Sequence, residues 1–120
     1  WGFAVDDAHW QIDDGFKGWI MVKADERTKK AIVEAIEKGY FYSSCGPWIY
    51  NIELNDHHIS VKCSAVKRIN FVCDTSRGKS FQAKEGILTF AEHTLKDEKY
   101  IRIECIDDEG NIAWSNPLFL

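Results

Sequence analysis

Apolar positions in this chain repeat with two different periods, and the change falls near residue 39. Ala31, Ile32, Ala35 and Ile36 recur at helical spacing and form one apolar stripe. Thr28 precedes them as an N-cap, because its hydroxyl accepts a bond from an orphan amide of the first turn. Glu34 and Lys38 stand four apart in the favourable order. Gly39 fits the position just past a helix end, where a positive φ is needed. The pattern predicts one helix over residues 28–38.

After Gly39 the period becomes two. Strands are predicted at 40–42, 49–54, 59–63, 67–73, 80–83, 88–91, 100–106 and 112–114, with an earlier one at 19–22. Asn55-Asp56-His57-His58 reads as a hairpin turn, and Thr75-Ser76-Arg77-Gly78 and Asp107 to Asn111 as further turns. In 67–73 the inward face is Ile69, Phe71 and Cys73; in 100–106 it is Ile101, Ile103 and Cys105. Residues 1–18 carry Asp, Gly and aromatics with no sustained period and read as a loop. Six to eight short strands in about 70 residues predict a mainly β fold. The expected architecture is an antiparallel immunoglobulin-like β-sandwich preceded by one α-helix and an N-terminal loop. A composition shift near Cys45-Gly46-Pro47 sets the expected boundary, dividing 1–47 from 48–120.

Composition narrows the function classes. The 120 residues are 45% hydrophobic and 13% aromatic, which excludes a disordered chain. A formal charge of −4 argues against nucleic-acid partners and against a polybasic membrane anchor. No apolar stretch approaches the roughly 20 residues of a spanning helix, so no membrane partner is expected. The opening Trp1-Gly2-Phe3-Ala4-Val5 reads as the interior of a folded protein, so the chain is expected to be a piece of a larger one. Cys45, Cys63, Cys73 and Cys105 show no zinc-like spacing and are expected to be reduced, structural and cytoplasmic. A cross-strand Cys73–Cys105 disulfide is the alternative.

Two segments carry candidate chemistry. In Asp6-Asp7-Ala8-His9, an Asp and a His two apart in extended chain point the same way and reach one cation. Carboxylate oxygen and imidazole nitrogen suit zinc, manganese or iron, although a protein site needs at least three ligands. In Ser43-Ser44-Cys45-Gly46, hydroxyls beside a glycine suit a phosphate oxygen, or simply a tight turn. His57 and His58 at a hairpin tip, and His93 beside Glu92, read as surface residues. Trp114 reads as a buried aromatic of the core.

Taken together, four patches resemble the PHP (polymerase and histidinol phosphatase) superfamily. Val5-Asp6-Asp7-Ala8-His9 is similar to its last metal-binding motif. Thr28 to Gly46, with Gly39-Tyr40-Phe41-Tyr42-Ser43-Ser44, is similar to the segment that follows. Tyr100 to Glu104 and Ala113 to Pro117 look like the end of an appended β-sandwich. The resemblance implies the C-terminal part of a metal-dependent phosphoesterase, with a catalytic-domain remnant over 1–47 and an accessory sandwich over 48–120. It implies Asp7 and His9 as ligands of a divalent Zn, Mn or Fe ion, and Ser43, Ser44 and Gly46 near substrate phosphate. The implied partners are a phosphate-ester substrate and an upstream catalytic domain. The chain holds no His-x-His and none of the family's earlier ligand motifs. The piece alone is therefore expected to be inactive, to bind no metal and to be prone to self-association. The competing expectation is a non-catalytic immunoglobulin-like interaction module.

Overall fold

The computed structural model describes residues 1–9 and 11–120. Its elements are β1 (Trp19–Val22), α1 (Lys29–Glu37), β2 (Phe41–Ser44), β3 (Ile49–Leu54), β4 (His58–Val66), β5 (Arg68–Cys73), β6 (Lys79–Gln82), β7 (Leu88–Thr94), β8 (Tyr100–Ile106), β9 (Ile112–Ser115) and β10 (Leu118–Phe119). Two antiparallel sheets result. The larger runs β1-β2-β9-β8-β5-β6, with β10 continuing β9's side of β8; the smaller is β3-β4-β7. This is the expected mainly β sandwich with one helix.

The core lies where the alternating faces of the two sheets meet. Ile69, Phe71, Ile101, Ile103, Cys105 and Ala113 from the larger sheet pack with Ile59, Val61, Cys63 and Ala91 from the smaller. Between β4 and β5 the chain crosses from one sheet to the other within a single residue, Lys67. The Lys67 amide still donates to the Ile106 carbonyl, so the crossing strands no bond. The larger sheet also runs across the boundary expected at Pro47: β2 pairs with β9, Ser44 opposite Ala113.

Helix α1 is capped at both ends as its sequence dictates. Thr28 accepts from the Ala31 amide. At the far end Gly39 adopts φ 76°, its amide donates to Ile36 and the Tyr40 amide to Ala35. That is the paired bonding of a Schellman ending. The apolar stripe is only partly covered. Only Ala35 is buried, while Ile32 is exposed and Ala31 and Ile36 are half-buried. The helix sits against β1, at the outer edge of the sheet, and the sandwich core lies beyond its reach.

Two further expectations are corrected, and one alternative falls away. Trp114 is half-buried, because alternation in β9 turns Ala113 and Ser115 inward and Trp114 outward. His93 is buried, because β7 runs on to Thr94 and places Ala91, His93 and then Leu95 on the inner side. The Cys73–Cys105 disulfide is excluded by register: Cys73 stands opposite Ile101, and Cys105 opposite Ile69. All four cysteines are free thiols.

Candidate functional site

The acidic loop is built around Asp6. Its carboxylate accepts from the amides of Phe16, Lys17 and Gly18, at 2.7 Å from Lys17 and 2.8 Å from Gly18. Desolvation pushes the Asp6 carboxyl up, but these three amides and the Lys17 charge outweigh it and hold it below the usual range. Asp6 is thus a loop-closing residue. The same bonds fix Phe16 at φ 59°, a left-handed conformation uncommon for a bulky side chain, with its ring 95% exposed.

Closing the loop leaves Asp7 and His9 exposed. His9 pairs with Asp14, Nδ1 to Oδ2 at 3.0 Å, and the His9 amide donates to the same carboxylate. Because a carboxylate only accepts, Nδ1 is the donor, and in the neutral ring the lone pair lies on Nε2. A carboxylate that orients a ligating imidazole in this way is the usual support of a metal-bound histidine. From sequence Asp13 and Asp14 only add acidity beside this motif; the pairing of Asp14 with His9, five apart across a loop, follows no helix or strand period. The donor set therefore fits a divalent cation in kind, through the Asp7 carboxylate and His9 Nε2. It does not complete a site: among the described residues no group of three His, Cys, Asp or Glu side chains is placed to hold a metal.

Ser43 and Ser44 are neighbours in a strand and point to opposite sides of the sheet. The Ser43 hydroxyl accepts from the Ala4 amide and donates to the Gly2 carbonyl, each at 3.0 Å, which straps the N-terminal segment to the outer face. The Ser44 hydroxyl donates to the Pro47 carbonyl and accepts from the Gly46 amide, closing the turn from inside. Gly46 is needed for close approach, since a Cβ there would meet the Asn111 Cβ at 2.7 Å. The structure does not bring these three residues together on one ligand-facing surface.

A cleft of about 560 Å³ opens between the strapped segment and the outer face of the larger sheet. Phe3, Val5, Trp114 and Pro117 give it apolar walls, and Lys17 and Arg102 bring positive charge. Trp114 enters this site only because it faces outward; an aromatic read as core conceals such a role. Comparison with family models, with curated proteins and with solved structures finds no match to this chain.

Proposed function

We propose that this chain is the C-terminal part of a metal-dependent phosphoesterase of the PHP type. Asp7 and His9 would contribute two ligands to a divalent zinc, manganese or iron centre completed by residues outside these 120. The observation that carries the reading is the His9–Asp14 pair, which orients the imidazole and leaves Nε2 available, with the Asp7 carboxylate two residues away also exposed. A second support is the apolar surface around that loop: Val5 is 76% exposed, Ile12 64% and Phe16 95%. Apolar patches of this kind suit a face that docks on further protein, here the catalytic body. The bound ion would supply an activated water and charge neutralisation of the phosphate. This chain's own residues hold and orient: Asp14 fixes the His9 ring, and Asp6 shapes the loop that displays Asp7. The four free thiols suit a reducing, cytoplasmic setting. Among the described residues no helix is long and apolar enough to cross a membrane.

The test is the protein in its natural sequence context, assayed on p-nitrophenyl phosphate. Hydrolysis that is abolished by a chelator and restored by Mn²⁺ or Zn²⁺ is expected, as are His-x-His and further ligand motifs in the adjoining sequence. Absence of both sinks the proposal.

One observation favours a second reading, a non-catalytic binding module. A cleft of about 570 Å³ beside β3 is lined by Tyr40, Trp48 and Tyr50, with Tyr50 66% exposed. Aromatic faces of this kind suit a carbohydrate or a partner protein. Loss of ligand binding on Trp48→Ala, in a protein without phosphoesterase activity, would favour it.

A further inference from the structure

We propose that Cys63 and Cys105 form a redox modification site, an inter-sheet dithiol that closes to a disulfide when the protein meets a disulfide oxidant such as oxidised glutathione. The site goes beyond the phosphoesterase reading and does not rest on it. Cys63 lies on the inner face of β4 and Cys105 on the inner face of β8, both buried in one core cluster. The two strands belong to different sheets, and facing sheets ordinarily stand about 10 Å apart. Here the sheets are drawn closer. The chain crosses between them within one residue, and the Lys67 amide donates to the carbonyl of Ile106, the neighbour of Cys105. Cα atoms of β4 and β8 consequently come within 8 Å of each other. A disulfide needs an approach of this kind. The two thiols meet across the core, with the Cys105 S–H donating to the Cys63 sulfur.

The other two thiols are engaged locally. Cys45 Sγ is bonded to the backbone of Ile112, and Cys73 Sγ to Thr75. Cys63 also sits where β4 is paired least regularly. Its ladder with β3 shifts register between Ile49 and Asn51, and its ladder with β7 shifts between Lys62 and Val66. Such irregularities leave backbone groups out of the ladder and mark where a strand opens locally, which gives a small oxidant its route to a buried sulfur. Contact with Cys105 holds the Cys63 thiol below its ordinary range against the effect of burial, while the same contact and burial push Cys105 up. Cys63 is therefore the first nucleophile, because the thiolate is the attacking form. Its sulfur displaces one glutathione thiolate from the oxidant and forms a mixed disulfide. The Cys105 sulfur, giving up its proton, then attacks the Cys63 sulfur and displaces the second glutathione. The two cysteines lose two electrons and two protons, and the oxidant leaves as two molecules of reduced glutathione.

The test holds the folded chain overnight in oxidised glutathione, alkylates the remaining thiols and maps the peptides by mass spectrometry without reductant. One linked peptide pair, Cys63 with Cys105, is expected, with Cys45 and Cys73 outside any bridge. The melting temperature should rise on the order of 10 °C, since the bridge closes a loop of about 40 residues in the unfolded chain. Dithiothreitol should reverse both changes. The Cys45→Ala/Cys73→Ala double variant, which removes every competing pairing and leaves the core thiols in place, should form the same bridge with the same rise. A linked pair other than Cys63–Cys105 overturns the proposal. So does recovery of Cys63 and Cys105 as alkylated thiols, whether or not Cys45 or Cys73 has taken up glutathione. The phosphoesterase proposal is read from metal-dependent activity, so it stands or falls separately from this result.

Discussion

At the scale of single residues, the clearest departures from sequence expectation are polar groups whose surroundings come from distant chain. His93 looked like a surface residue beside Glu92, yet its ring stacks on Phe71 at 5.5 Å between centroids. Its Nε2 lies 4.0 Å from Oε1 of the buried Glu98, and neither of these two atoms has a hydrogen-bond partner among the described residues. Burial lowers the His93 pKa from its ordinary 6.5; Glu98 opposes that shift and Lys79 adds to it. Glu98 is itself held below its ordinary value, first by the Lys96 amide, and also by His93 and Arg77. Both folded values are depressed, so between ordinary and folded values the unfolded chain binds more protons. Stability is therefore full above pH 6.5 and falls as pH drops, first through His93 and then through Glu98. Melting curves from pH 7.5 to 4 should show this decline. His93→Phe, which keeps a ring on Phe71, should flatten its upper part; an unchanged slope contradicts the assignment. Phe16 gives a second prediction. Its left-handed backbone costs about 1–2 kcal/mol, and Phe16→Gly relieves it at some cost in chain entropy. A net gain of up to about 1 kcal/mol in urea unfolding is expected; a loss would mean that the ring packs on something.

At the scale of elements, what repeats locally was legible. The helix was readable at both ends because Thr28 and Gly39 act on backbone groups within one turn. The inward faces of β5 and β8 were readable from alternation, with Ile69, Phe71, Ile101, Ile103 and Cys105 all buried. Which side of an element meets the core was less legible where the element lies at an edge. Ile32 is exposed for that reason; Trp114, in the interior strand β9, is half-buried because alternation turns it to the outer face, and a two-residue strand such as β10 shows no period at all. The pattern Ala91-x-His93-x-Leu95 carries the full length of β7, but a histidine beside Glu92 reads as a surface residue. These positions give an ordered prediction. Ile103→Ala, at a fully buried site, should cost about 2–5 kcal/mol. Trp114→Ala should cost clearly less, because the indole faces the outer cleft. Equal losses by chemical denaturation would return Trp114 to the core.

At the scale of the whole molecule, the N-terminal segment and the sandwich form one packed object. Trp1 donates from its indole to the Glu37 carbonyl, Phe3 stacks on Phe41 at 4.8 Å, and Ser43 holds both Gly2 and Ala4. The acidic loop is thereby carried on the sheet rather than hanging from it. Asp7 and His9 themselves bear none of that load: both are exposed, and the His9–Asp14 pair is of the kind worth about 0–1 kcal/mol. The candidate site was thus half legible. Its proposed ligand pair stands in the sequence as Asp-x-His, while Asp14, which orients His9, and the neighbouring cleft depend on how residues 1–18 fold back. The central claim is that Asp7 and His9 serve chemistry and not the fold. The measurement that tests it most directly is metal-dependent phosphoesterase activity of the Asp7→Ala/His9→Ala double variant, in natural sequence context, with its melting temperature read on the same sample. The account predicts activity reduced at least 100-fold, by the usual scale for lost metal ligation, with a melting temperature close to that of the unaltered protein. Undiminished activity, or a melting temperature that falls as far as that of Ile103→Ala, would contradict it.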